Sequence, residues 1–190
     1  SPLLAIEAMQ AGGLMPHIVP GWKLEGSAVP ELAAMVGFSD APERRLLALI
    51  DSGLGLAAHD LKTAQARLKF SQAIMGRMLA AGKVLFFLET VGPGDLARLI
   101  YRFGRESVED GVLLVAAHMR RAPDHLMRMI AGIAVPVFPL KGADLLARGM
   151  APGPAVGETL KQIETEWLNH DFSQSVIEAA LDAVAKEAKS

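Results

Sequence analysis

The chain has 190 residues, of which 51% are hydrophobic and 21% are charged, and its mean hydropathy is +0.29. This composition excludes an intrinsically disordered chain, because such chains are poor in apolar residues and carry a high net charge. The 19 basic and 21 acidic residues give a formal charge of −2, which excludes a protein that coats nucleic acid through overall positive charge but does not exclude a local basic patch.

The absence of cysteine excludes disulfides, thiolate zinc sites and cysteine nucleophiles. It also fits a reducing compartment, and we expect a cytoplasmic protein. No signal peptide is recognisable, and no uncharged apolar stretch reaches the roughly 20 residues of a membrane span, so we expect no membrane partner. The chain begins with Ser rather than Met, which leads us to expect a processed chain or a fragment.

Apolar residues recur every three or four positions along most of the chain, which is the spacing of amphipathic helices. Strand signals are scarce, because aromatic residues make up 5% of the chain and alternating β-branched runs are nearly absent. In chain order, apolar stripes predict helices over 42–53, 95–104 and 108–120. The stripes stop near Gly12, Gly13, Gly37, Gly53, Gly82 and Gly104. We predict an all-α, multi-helix array of about nine to eleven short helices in antiparallel hairpins.

The composition changes near Ala134, where the sequence VPVFPLKG places two prolines and a glycine between helical stretches. We therefore predict two helical domains, a larger one over 1–134 and a smaller one over 135–190. Residues 96–150 contain eight basic and five acidic side chains, whereas 151–190 contain three and seven. An anionic partner would bind the middle segment, although the simpler interpretation is that its arginines only solvate helix faces.

The segment over 140–167, LKGADLLARGMAPGPAVGETLKQIETEW, has the pattern of a helix-hairpin-helix element. Proline and glycine at 152–154 predict a tight turn between a short helix and a second helix that starts near Ala155. Unpaired N–H groups at the start of such a helix can bind a phosphate, and Lys141, Arg148 and Lys161 flank the turn. The simpler interpretation is that the turn only joins two packed helices.

The string GADLLARGMAPGPAVGETLKQIETEW also resembles the C-terminal motif of bacterial class II tRNA nucleotidyltransferases, the family of CCA-adding enzymes and poly(A) polymerases. That motif runs Gly-x-Asp-Leu, then Gly-hydrophobic-x-Pro-Gly-Pro-x-hydrophobic-Gly, then a helix ending in Trp. It is matched at Gly142, Asp144, Leu145, Gly149, Pro152, Gly153, Pro154, Val156, Gly157, Leu160 and Trp167. The segment RLKFSQ at 67–72 and the first 20 residues are similar to further parts of the family.

The resemblance implies that 1–134 is the family's helical body, which can include the end of its neck, and that 135–190 is its tail. Both would bind the backbone of tRNA by its shape. The polymerising head would use Mg²⁺ with ATP or CTP, but the family's Asp-x-Asp pair and the neck's Glu-Asp-x-x-Arg are absent from this sequence. We therefore expect no catalytic residue, metal ligand or cofactor in this chain, and the missing head and neck of the same protein as a partner.

Charge and position select the candidate RNA-binding residues. The arginines of the body and the residues at the hairpin form the candidate set: Arg98, Arg102, Arg105, Arg120, Arg121, Arg128, Lys141, Arg148, Gly153, Gly157 and Lys161.

Two alternative functions stay open. The His59-Asp60 pair is the dipeptide that His-Asp phosphohydrolases use as metal ligands, with His17 and Asp110 or Asp124 as further candidates. A helical protein-interaction module is the other alternative, because nine methionines can line an adaptable groove. Methionines are more often core residues, however.

Overall fold

The computed structural model describes residues 2–18, 28–50, 58–88 and 95–188. Within these ranges the chain forms twelve helices and no strand, which confirms the all-α, multi-helix fold. The helices are α1 (Pro2–Ala11), α2 (Met15–Ile18), α3 (Ala28–Phe38), α4 (Pro42–Ile50), α5 (Ala58–Leu68), α6 (Gln72–Leu88), α7 (Leu96–Phe103), α8 (Arg105–Met119), α9 (Asp124–Gly132), α10 (Gly142–Ala147), α11 (Pro154–Asn169) and α12 (Gln174–Glu187).

Two details of the predicted helices were wrong. The count exceeds the prediction partly because α2 has four residues, too few to show an apolar period. Gly82 lies inside α6 rather than at a helix end, because Val84 and Leu85 in the following turn are buried. Burial of that turn outweighs the roughly 1 kcal/mol that a glycine costs within a helix. Gly53 lies outside the described residues.

The chain divides into two compact units, Ser1–Ala134 and Val135–Ser190. The first unit contains α1 to α9, and the second contains α10 to α12.

Helix α8 lies at the centre of the first unit, where it packs against α3, α4, α6, α7 and α9. Apolar side chains from α3 to α6 pack with α8 in one core. Its members are Met35, Leu47, Ala48, Leu61, Met78, Ala81, Leu85, Leu113, Leu114 and Ala117. Because neighbours surround α8, polar residues on it must also find partners inside the protein.

Asp110 is such a residue, since it is 2% exposed. Its carboxylate accepts hydrogen bonds from Arg44 Nε of α4 at 2.7 Å and from Arg77 Nε of α6 at 2.6 Å. The hydrogen bond to Asp110 raises the pKa of Arg77 above its ordinary value, against the opposing effect of burial. Glu109 and Glu106 complete the cluster, at 2.9 Å from Arg44 Nη2 and 3.0 Å from Arg77 Nη1.

The next residue, Gly111, lets α6 and α8 approach closely. A Cβ atom at Gly111 would lie 2.7 Å from Val84 Cγ1 and 3.4 Å from the carbonyl oxygen of Ala81. The first distance is shorter than real Cβ contacts allow, so only glycine fits here without a shift of one helix.

The second unit packs its apolar face around Trp167, which is 3% exposed. The ring of Trp167 lies 5.5 Å from that of Phe138 and 4.9 Å from that of Phe172. Leu145 of α10 and Ile177 of α12 are buried as well. Ile163 and Trp167 of α11 are both buried, so one apolar face of this helix packs within the unit.

We expect Gly111→Ala to lower the free energy of unfolding by about 1–3 kcal/mol, because the added methyl group collides with Val84. Gly76→Ala is the matched control, since Gly76 is an exposed glycine in α6 and a Cβ atom there would have no neighbour within 4 Å. The control should gain up to about 1 kcal/mol from helix propensity. Urea unfolding followed by circular dichroism measures both changes, and equal stability of the two variants would contradict the close approach.

Candidate nucleic-acid interface

The candidate arginines of the first unit differ in what their side chains contact. Arg98 forms an ion pair with Asp95, one turn earlier on the chain. The guanidinium of Arg105 donates hydrogen bonds to the carbonyl oxygens of Ile130 and Ile133. These carbonyls lie at the C-terminal end of α9, where a cation is favourable because carbonyl groups are left unpaired. Arg105 therefore has a role within the fold, whether or not it also contacts RNA.

Three other arginines are exposed near the C-terminal end of α8 and on α9. Arg120 and Arg121 follow α8 directly, and Arg128 lies on α9. Within the described ranges, no ion pair or hydrogen bond occupies the guanidinium groups of Arg120 and Arg121. Arg128 Nε donates to the carbonyl oxygen of Asp124 at 3.2 Å. We call Arg120, Arg121 and Arg128 the basic corner. Arg102 is also exposed, on α7.

The backbone turn at the basic corner is a Schellman motif. The N–H groups of Arg120 and Arg121 donate to the carbonyl oxygens of Ala117 and Ala116 at 3.2 and 2.9 Å. Arg120 has φ 52° and ψ 43°, the left-handed conformation in which glycine is usual. An arginine occupies this position despite the steric cost of its Cβ atom, and the turn directs the two neighbouring arginines away from the core of α8.

His118 contacts Glu31, and the sequence pattern did not indicate this pairing. His118 Nδ1 lies 2.8 Å from Glu31 Oε1, and the Glu31 side chain is 6% exposed. The pair joins α3 to the last turn of α8, next to the basic corner. No sequence signal identifies it, because the two residues are 87 positions apart.

Two glycines of the hairpin in the second unit lie where packing leaves little or no room for a side chain. Gly149 has φ +97°, and a Cβ atom there would lie 2.7 Å from Ala188 Cβ. A Cβ atom at Gly142 would lie 3.3 Å from Val156 Cγ1, which is the contact between α10 and the start of α11. Packing within the unit therefore explains both residues.

A Cβ atom at Gly153 or Gly157 would have no neighbour within 4 Å, but Gly153 has φ +158°, which residues other than glycine rarely adopt. Both are exposed, and they are four residues apart at the start of α11. No other backbone of the described residues approaches Gly157. Since glycine within a helix costs roughly 1 kcal/mol, the fold does not account for Gly157.

The start of α11 has fewer free donors than the sequence suggested. Pro154 has no N–H group, and the N–H group of Val156 donates to the carbonyl oxygen of Gly153 at 3.2 Å. No side chain caps the helix. Among the described contacts, the N–H groups of Gly153 and Ala155 are left without an acceptor.

The basic side chains beside the hairpin also differ from one another. Arg148 Nη1 lies 3.6 Å from Asp182 Oδ1 of α12, so part of its charge is compensated. Lys141 and Lys161 are exposed, and no ion pair joins either ammonium group to a described residue. The backbone N–H group of Lys141 donates to Asp144 Oδ2 at 2.7 Å, which holds the start of α10.

For the two alternative functions the structure supplies separate observations. The side chains of His59 and Asp60 lie outside the described part of the chain, and His17 and Asp124 are exposed. No group of three or more His, Cys, Asp or Glu residues suited to a metal ion occurs among the described residues. Met15, Met35, Met75 and Met78 are buried in the first unit, as core residues are.

None of the described helices combines the length and the apolar character needed to cross a membrane. Neither a protein-family model nor a curated protein sequence matches the chain. The candidate function therefore depends on the geometry of the residues above and on the motif at the hairpin.

We expect Arg105→Ala to lower the free energy of unfolding by about 1–3 kcal/mol, because two carbonyl groups of α9 lose a charged donor. Arg102→Ala is the matched control, since Arg102 is exposed and has no hydrogen bond or ion pair with a described residue. Its stability should change by less than about 0.5 kcal/mol. Chemical denaturation of both variants measures the difference. If Arg105→Ala is as stable as the parent chain, Arg105 has no structural role and its side chain is available to bind RNA.

Proposed function

We propose that this chain binds the phosphate backbone of a folded RNA, with tRNA as its ligand, and that it is the body and tail of a template-independent nucleotidyltransferase. Catalysis with Mg²⁺ and ATP or CTP would belong to a head and neck that this sequence does not contain. The chain would then hold the tRNA, in the cytoplasm, while the head extends its 3′ end. CCA addition and poly(A) synthesis are equally compatible with this role.

The observation that carries the proposal is the basic corner. Exposed arginines on helix faces usually meet carboxylates or only water. At the basic corner, Arg120 and Arg121 are adjacent, exposed and without a carboxylate partner in the described ranges. The guanidinium group has a planar set of donors that suits phosphate oxygens. A pair of such groups on one turn favours a phosphate backbone over a neutral partner.

The hairpin supports the same class of ligand independently. A missing side chain at Gly157 allows another backbone to approach the exposed start of α11, and Lys161 lies one turn further along the same helix. Contacts of this kind hold the phosphate backbone and do not read the bases. They fit the recognition of RNA by shape and by phosphate position.

A titration of the chain with tRNA at two salt concentrations tests the proposal, with a DNA duplex of similar length as the control. Three or four phosphate contacts should weaken binding by about 10- to 100-fold between 50 and 200 mM salt, because bound phosphates release counterions. Binding should favour tRNA over the duplex. An affinity that does not depend on salt would contradict the electrostatic basis of the proposal.

The double variant Arg120→Glu/Arg121→Glu tests whether the basic corner contacts the RNA. We expect its affinity for tRNA to fall at least tenfold while its helical content stays unchanged, because both residues are exposed. The matched control is Lys62→Glu/Lys83→Glu, which changes the net charge equally on exposed lysines of α5 and α6. Equal losses in the two double variants would show that overall charge, and not the basic corner, sets the affinity.

Gly157→Ala separates the two interpretations of the hairpin. With open space around this position, alanine should raise the free energy of unfolding by up to about 1 kcal/mol. The same methyl group should weaken tRNA binding, because it obstructs a phosphate at the start of α11. Thermal unfolding and the tRNA titration measure the two effects. A stabilised variant with full affinity would mean that the hairpin only joins two packed helices.

Reversing charge at the hairpin gives a second measurement there. Lys141→Glu/Lys161→Glu is preferable to a variant that includes Arg148, because it leaves the ion pair between Arg148 and Asp182 in place. Weaker tRNA binding at unchanged helicity is expected.

A further inference from the structure

An open cavity of about 420 Å³ lies in the first unit where α7 ends and α8 begins. Ala73, Ile74 and Arg77 of α6 form one wall, and the residues Phe103–Ser107 form the other. Its volume falls within the range of small-molecule sites. The cavity is a different feature from the basic corner, which lies at the opposite end of α8.

The start of α8 supplies unpaired backbone donors to this cavity. Gly104 precedes the helix with φ 81°, and no side chain caps it. The N–H group of Val108 donates to the carbonyl oxygen of Gly104 at 3.2 Å, but the N–H groups of Arg105, Glu106 and Ser107 have no acceptor among the described residues. Unpaired N–H groups and the positive end of the helix dipole favour an anion here.

Ser107 is a second and independent observation. It lines the cavity and is 6% exposed, yet its hydroxyl group makes no hydrogen bond with any part of the chain that the structure describes. A buried hydroxyl group without a partner costs about 1–3 kcal/mol, and such groups are uncommon in folded proteins. A ligand oxygen in the cavity would supply the missing partner.

Each acidic group near the cavity has an arginine partner, since Glu106, Glu109 and Asp110 share the guanidinium groups of Arg44 and Arg77. Glu106 forms an ion pair with Arg77 at 3.0 Å, and Asp110 is held by Arg77 and Arg44. The guanidinium of Arg105, which bonds to the end of α9, keeps its positive charge beside the cavity. Ala73, Ile74 and Phe103 provide an apolar wall for the uncharged part of a ligand.

We propose that this cavity binds a phosphate group, held by the N–H groups of residues 105–107 and by the hydroxyl group of Ser107. The phosphate can belong to an RNA strand or to a free phosphorylated compound such as a nucleotide. The site uses other residues than the basic corner and the hairpin.

Titration of the ¹⁵N-labelled chain with inorganic phosphate, against chloride at equal ionic strength, tests the site. The amide signals of Arg105, Glu106 and Ser107 should shift, and Ser107→Ala should weaken phosphate binding about tenfold or more, as expected for a lost hydrogen bond to a charged group. Without phosphate, Ser107→Ala should unfold at no lower temperature than the parent chain, because its hydroxyl group has no partner in the described part of the protein. Ser175→Ala, at an exposed serine of α12, is the matched control and should leave phosphate binding unchanged.

A second variant keeps the test independent of Ser107. Ala73→Glu places a carboxylate at the cavity on an exposed position of α6, and it should abolish phosphate binding by charge repulsion. Phosphate affinity that is unchanged in both variants, or shifts confined to other amide groups, would overturn the proposal.

Two further titrations identify the source of the phosphate. If Ser107→Ala weakens binding of tRNA, the site takes a phosphate of the RNA. If it weakens binding of 5′-AMP and leaves tRNA affinity unchanged, the site takes a free phosphorylated compound. If it changes neither, the proposal is overturned even where inorganic phosphate binds, because the site then takes a phosphate from neither source. The effect of Arg120→Glu/Arg121→Glu on tRNA binding is measured separately. The proposed RNA-binding function and the proposed phosphate site can therefore fail independently of each other.

Discussion

The burial of one carboxylate in α8 constrains the first unit. Asp110 is held by Arg44 of α4 and Arg77 of α6, and a buried carboxylate that loses its partner costs about 3–5 kcal/mol. The three helices therefore cannot separate without leaving a charge unpaired. Gly111, the following residue, adds a steric constraint through its close approach to Val84. Consecutive residues thus fix α8 among its neighbours by charge and by shape.

This arrangement determines which basic residues are available to a ligand. Arg44 and Arg77 are used inside the unit, and Arg105 bonds to the end of α9. Among the described residues that flank α8, Arg120 and Arg121 have guanidinium groups without an ion pair or hydrogen bond, and they follow the last turn of the helix. The two ends of α8 therefore offer different chemistry: free guanidinium groups follow its last turn, while unpaired N–H groups and a buried hydroxyl group lie at its first turn.

The hairpin glycines of the second unit differ in whether packing or backbone conformation accounts for them. A Cβ atom at Gly149 would collide with Ala188, and one at Gly142 would lie tightly against Val156. Gly153 has φ +158°, a conformation that residues other than glycine rarely adopt. Gly157 alone of these four has open space around it and no positive φ, so neither packing nor the turn accounts for it. Its place in the first turns of α11 is where a close approach by an external backbone would benefit from a missing side chain. This difference, more than the motif itself, supports a phosphate ligand at the hairpin.

The all-α class and the position of the hairpin could be predicted from the amino-acid sequence, because helix periodicity and turn chemistry are local properties of the chain. The sequence could not separate Arg105 from Arg102, which look equivalent three residues apart, and it could not assign partners to Asp110. Those partners lie 66 and 33 positions away. Which charges are used inside the fold and which remain exposed became visible only in the folded chain, because pairing and burial depend on contacts between helices that are distant in the sequence.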